Sequence, residues 1–185
     1  CPAAINEFKN TFIFKSPIDF NIDVDPNTLE PKSPIALWNI RVRNQEQKLF
    51  NIGSNLIFFS EESLEVSQIP CSVHYTDFTD NTNLFPGKFN ISKWFRPLQT
   101  TIRLQKPLIK VKRGEPLFYI KFHTDKKVNL IHYTFVPPLH HFVNTCLTLK
   151  YLVDKLSFKE IYNFFTRSSY KEKILKLIKE NTTNL

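Results

Sequence analysis

The sequence predicts a mainly β fold: an antiparallel β-sandwich or jelly-roll-like body followed by a C-terminal α-helical segment. Short segments with alternating apolar side chains recur over residues 11–136, separated by turn residues, and no helical pattern stands between them. Apolar residues over 139–181 recur instead at the spacing of a helix. We expect body and helical segment to form a single domain over residues 1–185, a usual length for one domain.

Strand candidates follow one another closely through the body. In the clearest, residues 18–25, four apolar side chains alternate with polar ones and therefore share one face of a pleated strand. Pro86-Gly87 and Arg113-Gly114 are typical of turns between such strands. The short spacing favours antiparallel pairing. The other strand candidates are residues 11–15, 37–42, 55–60, 71–75, 101–104, 108–112, 117–123 and 128–136.

Two capping boxes mark the helical segment. Ser157 with Glu160, and Ser169 with Glu172, each place a hydroxyl three residues before a carboxylate and just ahead of apolar residues at helical spacing. Both patterns predict an amphipathic helix with one face against the body. Residues 139–154 fit either a helix or a strand, and we favour a helix there.

Composition narrows the class of protein. Hydrophobic residues make up 42% of the chain, which excludes a disordered chain because enough apolar surface can be buried. No apolar run approaches the ~18–20 residues of a membrane-spanning helix. No basic-then-apolar signal segment opens the sequence. We therefore expect neither a transmembrane helix nor secretion.

Several motifs of catalysis and nucleotide binding are absent. The three glycines cannot spell G-x-G-x-x-G or the P-loop, and the serine-hydrolase pattern G-x-S-x-G does not occur. The three cysteines lie far apart, without the close pairs of a structural zinc site, and we expect reduced thiols. These absences favour a non-enzymatic protein without a cofactor.

Positive charge is concentrated in the second half of the chain. Residues 1–87 carry 6 Lys and Arg against 11 Asp and Glu, whereas residues 88–185 carry 19 against 6. Residues 88–127, with interleaved aromatic side chains, predict a face that binds nucleic acid. A solvated sheet surface is the competing interpretation of the same charge. The candidate binding residues are Trp94, Arg96, Arg103, Lys110, Lys112, Arg113 and Lys121.

A second alternative is an iron site. His123-Thr124-Asp125 has the spacing of the first two ligands in a His-x-Asp…His site on a jelly roll, and His132 is the candidate third ligand. This pattern predicts Fe(II) as the cofactor and a non-haem oxygenase as the function. A hairpin turn is the competing interpretation of Asp125, because Asp is favoured in turns.

Segments spread over the first two thirds of the chain resemble a known group of proteins. They are Cys-Pro-Ala at 1–3, Lys-Asn-Thr-Phe at 9–12, Lys-Ser-Pro-Ile-Asp-Phe at 15–20, residues 86–97 and Lys-Arg-Gly-Glu-Pro-Leu at 112–117. Together they resemble an uncharacterised group encoded by marine bacteriophages of the contractile-tailed cyanophage type, over roughly residues 1–125. The resemblance implies a viral protein of the host cytoplasm or the virion, and it implies no activity or catalytic residue.

The leading expectation is a non-enzymatic binding or assembly protein. Because the two halves of the chain carry opposite charge, self-association or docking on an acidic protein partner is expected. Nucleic acid is the alternative partner, and a membrane is not expected.

Overall fold

The computed structural model describes residues 7–25, 39–44, 46–54, 56–152 and 157–182. The chain divides into two compact units. The first unit comprises residues 1–56, 66–89 and 98–123, and the second comprises residues 57–65, 90–97 and 124–185. Because such units do not by themselves define domains, the single domain over 1–185 stays a prediction.

The strands of the described residues belong almost entirely to the first unit, together with one short helix, α1 (Asp77–Asn81). Helix α1 is capped by Thr76, whose hydroxyl accepts a hydrogen bond from the Thr79 backbone N–H. The strands are β1 (Thr11–Lys15), β2 (Phe20–Asp23), β3 (Asn39–Asn44), β4 (Leu49–Gly53), β5 (Glu65–Ile69), β6 (Thr82–Phe85), β7 (Gly87–Asn90), β8 (Gln99–Leu104), β9 (Leu108–Val111) and β10 (Pro116–His123).

The described strands form two four-stranded sheets and one strand pair. One sheet has the order β1-β10-β5-β7, the other has the order β3-β4-β8-β6, and β2 pairs with β9. The pairs β1–β10, β2–β9, β3–β4, β4–β8 and β6–β8 are all antiparallel. The predicted fold class, mainly β with antiparallel sheets and a C-terminal helical segment, is confirmed.

The core of the first unit is built from the alternation that predicted its strands. On β2, Phe20 and Ile22 are buried while Asn21 between them is exposed, as the pattern of residues 18–25 predicts. The two four-stranded sheets contact each other through a buried hydrogen bond, in which Gln68 of β5 donates to Thr100 of β8 at 2.8 Å. This contact is compatible with the predicted sandwich.

The second unit contains α2 (Pro137–Leu152), α3 (Phe158–Arg167) and α4 (Tyr170–Glu180). Helix α2 begins at a proline, which suits the first turn because no partner is needed there for its missing N–H. The helix that we favoured for 139–154 is present over residues 139–152, and residues 153 and 154 lie outside the described residues. Within the described residues no helix is long and apolar enough to cross a membrane. The core consists of Trp94, Phe95, Leu139, Val143, Cys146, Ile161, Phe165 and Ile174.

Only the first of the two predicted capping boxes forms. The Ser157 hydroxyl accepts from the Glu160 backbone N–H, and the Glu160 carboxylate accepts from the Ser157 backbone N–H at 2.7 Å. The Ser157 hydroxyl also donates to the Glu160 carboxylate at 2.7 Å, and this bond together with that from the Ser157 backbone N–H holds the pKa of Glu160 below its usual range. Helix α4 begins after Ser169 as predicted, but no side-chain hydrogen bond caps it. Ser169 has φ −72° and ψ 10°, whereas a capping side chain usually requires an extended backbone.

Three strand predictions were wrong. Residues 56–60 form no strand, because Ile57 and Phe59 pack against the helical core instead of pairing with another strand. Residues 71–75 form a loop with Val73 and Tyr75 exposed, and residues 128–136 contain only an isolated bridge from Tyr133. Residues 37 and 38 of the strand predicted over 37–42 lie outside the described residues. Residue 55 of the strand predicted over 55–60 lies outside them as well.

Two adjacent phenylalanines of α3 test the packing of the helical core. Phe165 is fully buried and makes an edge contact with Phe59 at 6.2 Å between ring centroids, whereas Phe164 is 50% exposed. We expect Phe165→Ala to lower the free energy of unfolding by about 3–5 kcal/mol because it leaves a cavity. Phe164→Ala is the matched control and should change it by about 0.5 kcal/mol or less. Urea unfolding measures both values, and equal losses would contradict this packing.

Candidate binding cleft

A cleft of about 480 Å³ lies in the first unit, along the sheet β3-β4-β8-β6. We call it the polar cleft. Its position follows from the register of the sheet, because Thr101 of β8 pairs with Asn51 of β4 on one side and with Phe85 of β6 on the other. The described residues that line the polar cleft are Arg43, Asn44, Gln47, Leu49, Gln68, Phe85, Pro86, Gly87, Gln99 and Thr101.

Strand β8 separates the core from the polar cleft. Thr100, Ile102 and Leu104 are buried, whereas Gln99 and Arg103 are exposed and Thr101 is half-buried. Successive side chains of a strand point to opposite faces, so Gln99 and Thr101 share the outer face. The inner face is fixed by Ile102, which pairs with Phe50 of β4 and Leu84 of β6, both buried.

A chain of hydrogen bonds crosses the outer face of this sheet. Arg43 donates from Nη1 to the Thr101 hydroxyl at 2.9 Å, and that hydroxyl donates to Asn51 Oδ1 at 2.9 Å. Arg43 stands where the β3–β4 register shifts, and such a bulge re-aims a side chain. The guanidinium is therefore held by a hydrogen bond to Thr101, whose hydroxyl is in turn oriented by Asn51.

The last residue of β6 supplies an exposed aromatic ring. Phe85 is 42% exposed and is followed by Pro86-Gly87, which also lines the polar cleft. The Arg103 guanidinium lies 5.8 Å from the centroid of the Phe85 ring, within the distance of a cation–π contact. An apolar surface thus stands directly beside hydrogen-bonding groups.

The amide side chains of the polar cleft are partly anchored. Asn44 Oδ1 accepts from the Gln47 backbone N–H at 2.9 Å, which fixes the start of the β3–β4 turn. Gln68 is buried and is held through its donation to Thr100. Gln99 is exposed on the outer face of β8.

The chemistry of the lining suits binding rather than proton transfer. None of the ten described lining residues carries a carboxylate, an imidazole, a thiol or an amine. General acid–base catalysis needs a group that exchanges a proton near the working pH, and guanidinium, amide and hydroxyl groups do not.

The predicted basic face is divided among several elements. Lys121 lies on β10 and pairs with Glu7 at 2.6 Å, Lys110 lies on β9, and Arg103 lies on β8, so these three belong to three different sheets. Lys112 and Arg113 follow β9, and their backbone N–H groups donate to the carboxylates of Glu115 and Asp19. Among all of these cations only Arg103 contacts a residue of the polar cleft, namely Phe85.

Trp94 and Arg96 lie in the second unit. The Trp94 side chain is only 7% exposed and packs beside Tyr162 and Phe165, so its ring is not accessible to stack on a base. Its large apolar area is used in the helical core. The sequence predicted a binding role from an aromatic residue that the structure places in the interior.

The predicted iron ligands are divided between the two units. His123 belongs to the first unit and its Nε2 lies 2.7 Å from the Ser67 hydroxyl, whereas Asp125 and His132 belong to the second unit. Within the described residues no group of three or more His, Cys, Asp and Glu side chains could hold a metal ion. The Fe(II) hypothesis accordingly stays a prediction.

Comparison with protein-family models, with curated proteins and with solved structures finds no match for this chain.

The two described thiols are poor nucleophiles. Burial raises the pKa of the Cys71 thiol to about 11, and burial likewise raises the pKa of Cys146 to about 11. The thiolate is the reactive form, so little of it is present at neutral pH. Neither residue lines the polar cleft.

The raised pKa of Cys71 predicts a distinctive pH dependence of its alkylation. In the folded chain the rate with iodoacetamide should rise about tenfold per pH unit from pH ~7 to ~10, because the thiolate fraction is still growing throughout that range. In denaturant the rate should level off above pH ~9, as for an ordinary cysteine with a pKa of ~8.5. Mass spectrometry of the peptide that contains Cys71 measures both rates, with circular dichroism to verify folding. The same plateau in both states would contradict the burial of this thiol.

Proposed function

We propose that this chain is a non-enzymatic binding protein whose ligand occupies the polar cleft of the first unit. The observation that carries the proposal is the lining of the cleft. Amides, a hydroxyl and one guanidinium stand beside an exposed aromatic ring, without a side chain suited to acid–base catalysis among the described lining residues. These side chains can bind a ligand, but none of the described ones is suited to acid–base catalysis on it.

The size and rigidity of the polar cleft also support the proposal. Its volume of about 480 Å³ falls within the range of known ligand sites, which is roughly 300–1,000 Å³. Its polar groups project mainly from paired strands, and Arg43 is held by the hydrogen-bond chain through Thr101 and Asn51. Groups fixed before binding lose less conformational entropy when a ligand arrives, which favours affinity.

The other expected partners remain predictions. Three cations of the basic segment, Arg103, Lys110 and Lys121, lie on separate sheets. No observation favours Fe(II) chemistry, self-association or an acidic protein partner over a ligand of the polar cleft. The viral origin implied by the resemblance is likewise a prediction.

Thermal unfolding with a mixed ligand library tests the proposal. The library contains oligosaccharides, nucleotides, amino acids and short peptides, and at least one class should raise the Tm of the native chain. A ligand present at about 100 times its Kd adds about 2.7 kcal/mol to the free energy of unfolding. The double variant Arg43→Ala/Gln99→Ala should lose most of that stabilisation, because both side chains line the polar cleft.

The double variant Arg113→Ala/Gln105→Ala is the matched control, because it removes the same two side-chain types from exposed positions outside the polar cleft. It should retain the full stabilisation. Stabilisation that survives in the cleft variant, or that disappears equally in the control, would contradict binding in the polar cleft.

A further inference from the structure

The polar side chains of the cleft are mostly uncharged. Six of the described lining residues have polar side chains, and only Arg43 among them carries a charge. The uncharged ones are Asn44, Gln47, Gln68, Gln99 and Thr101. Amides and hydroxyls offer donors as well as acceptors, so they match a ligand whose own groups both donate and accept. Hydroxyl groups have this property.

The exposed ring of Phe85 indicates that the ligand also has an apolar face. A ring with 42% of its surface exposed leaves apolar area available to a ligand, while the Arg103 guanidinium at 5.8 Å restrains its position. A six-membered sugar ring presents C–H groups on its face and hydroxyls around its rim. One aromatic ring beside a row of amides and a hydroxyl therefore matches both parts of such a ligand.

Resting on the proposed function, we propose that the polar cleft binds an uncharged saccharide. Phe85 supports the apolar face of a sugar ring, and Gln99 and Thr101 hydrogen-bond its hydroxyl groups. Arg43 carries five N–H donors in a planar fork, one of which is donated to Thr101, and it binds adjacent hydroxyls with the others.

A nucleic acid fits the polar cleft less well. Binding to its backbone relies on several Lys and Arg side chains that neutralise successive phosphates, and a single-stranded site combines such a groove with stacked aromatic rings. The described lining contains one cation and one aromatic ring. Uncharged hydrogen-bonding groups outnumber the cation five to one, which favours the saccharide.

Titration calorimetry of the full chain with uncharged oligosaccharides tests the inference. The probes are hexasaccharides of β-1,4- and α-1,4-linked glucose, N-acetylglucosamine, mannose, galactose and xylose. At least one should bind, and its Kd should change by less than about twofold between low and high salt, because no counterions are released from an uncharged ligand. A single-stranded oligothymidine is titrated in parallel.

Variants of Phe85 locate the binding. Phe85→Ala should weaken saccharide binding about tenfold, whereas Phe85→Trp should preserve it because an aromatic surface remains. Ile13→Ala is the matched control, because Ile13 on β1 has the same exposed fraction, 42%, and does not line the polar cleft. It should leave the Kd unchanged.

The outcomes separate this inference from the proposed function. Absence of binding by every saccharide, or oligothymidine binding that falls steeply with salt and is lost in Phe85→Ala, overturns the saccharide assignment. If a different ligand binds and Arg43→Ala weakens its binding, the saccharide assignment is wrong but binding in the polar cleft stands. If a saccharide binds and neither Phe85→Ala nor Arg43→Ala weakens that binding, the polar cleft is not the site. This result overturns both the saccharide inference and the proposed function.

Discussion

The two faces of strand β8 are the constraint on which the first unit depends. Thr100, Ile102 and Leu104 must be buried, and β8 pairs on both sides, with β4 and with β6. A slip of one residue in either register would carry the apolar set to the solvent and the polar set into the core. The same register that satisfies the core therefore fixes where the side chains of the polar cleft stand.

This constraint makes the polar cleft a consequence of core packing rather than of a flexible loop. Thr101 is placed between Asn51 and Phe85 because Ile102 is placed between Phe50 and Leu84. The position of Arg43 depends in addition on the register shift in β3. A site that is built on paired strands is held more accurately than one on loops, which suits recognition of a ligand by shape and hydrogen bonds.

The sequence predicted the fold where one physical pattern dominated. The buried positions of β2 follow from strict alternation, and α3 follows from the capping box at Ser157. The pattern at residues 56–60 misled the prediction because Ile57 and Phe59 alternate like a strand but pack on helices. An alternating apolar segment indicates which side chains are buried, and it does not indicate what covers them.

The polar cleft was not predicted, because its residues come from six strands, β3 to β8, and two turns that the sequence alone does not bring together. The alternation of Gln99, Thr101 and Arg103 marks a polar outer face of β8 in the sequence alone. The contribution of Arg43 depends on the β3 register shift, and no residue type signals it. The density of positive charge instead favoured residues 88–127 as a binding face. There the structure buries Trp94 and places Arg103, Lys110 and Lys121 on three separate sheets.

Nuclear magnetic resonance of the isotope-labelled chain with its best ligand tests the central claim most directly. Backbone amide signals of β3, β4, β8 and the turn at Pro86-Gly87 should shift on titration and define one contiguous surface around Thr101. Signals of α2, α3 and α4 should stay in place. Shifts confined to the helices, or scattered along the basic residues from Lys110 to Lys121, would contradict the polar cleft as the binding site.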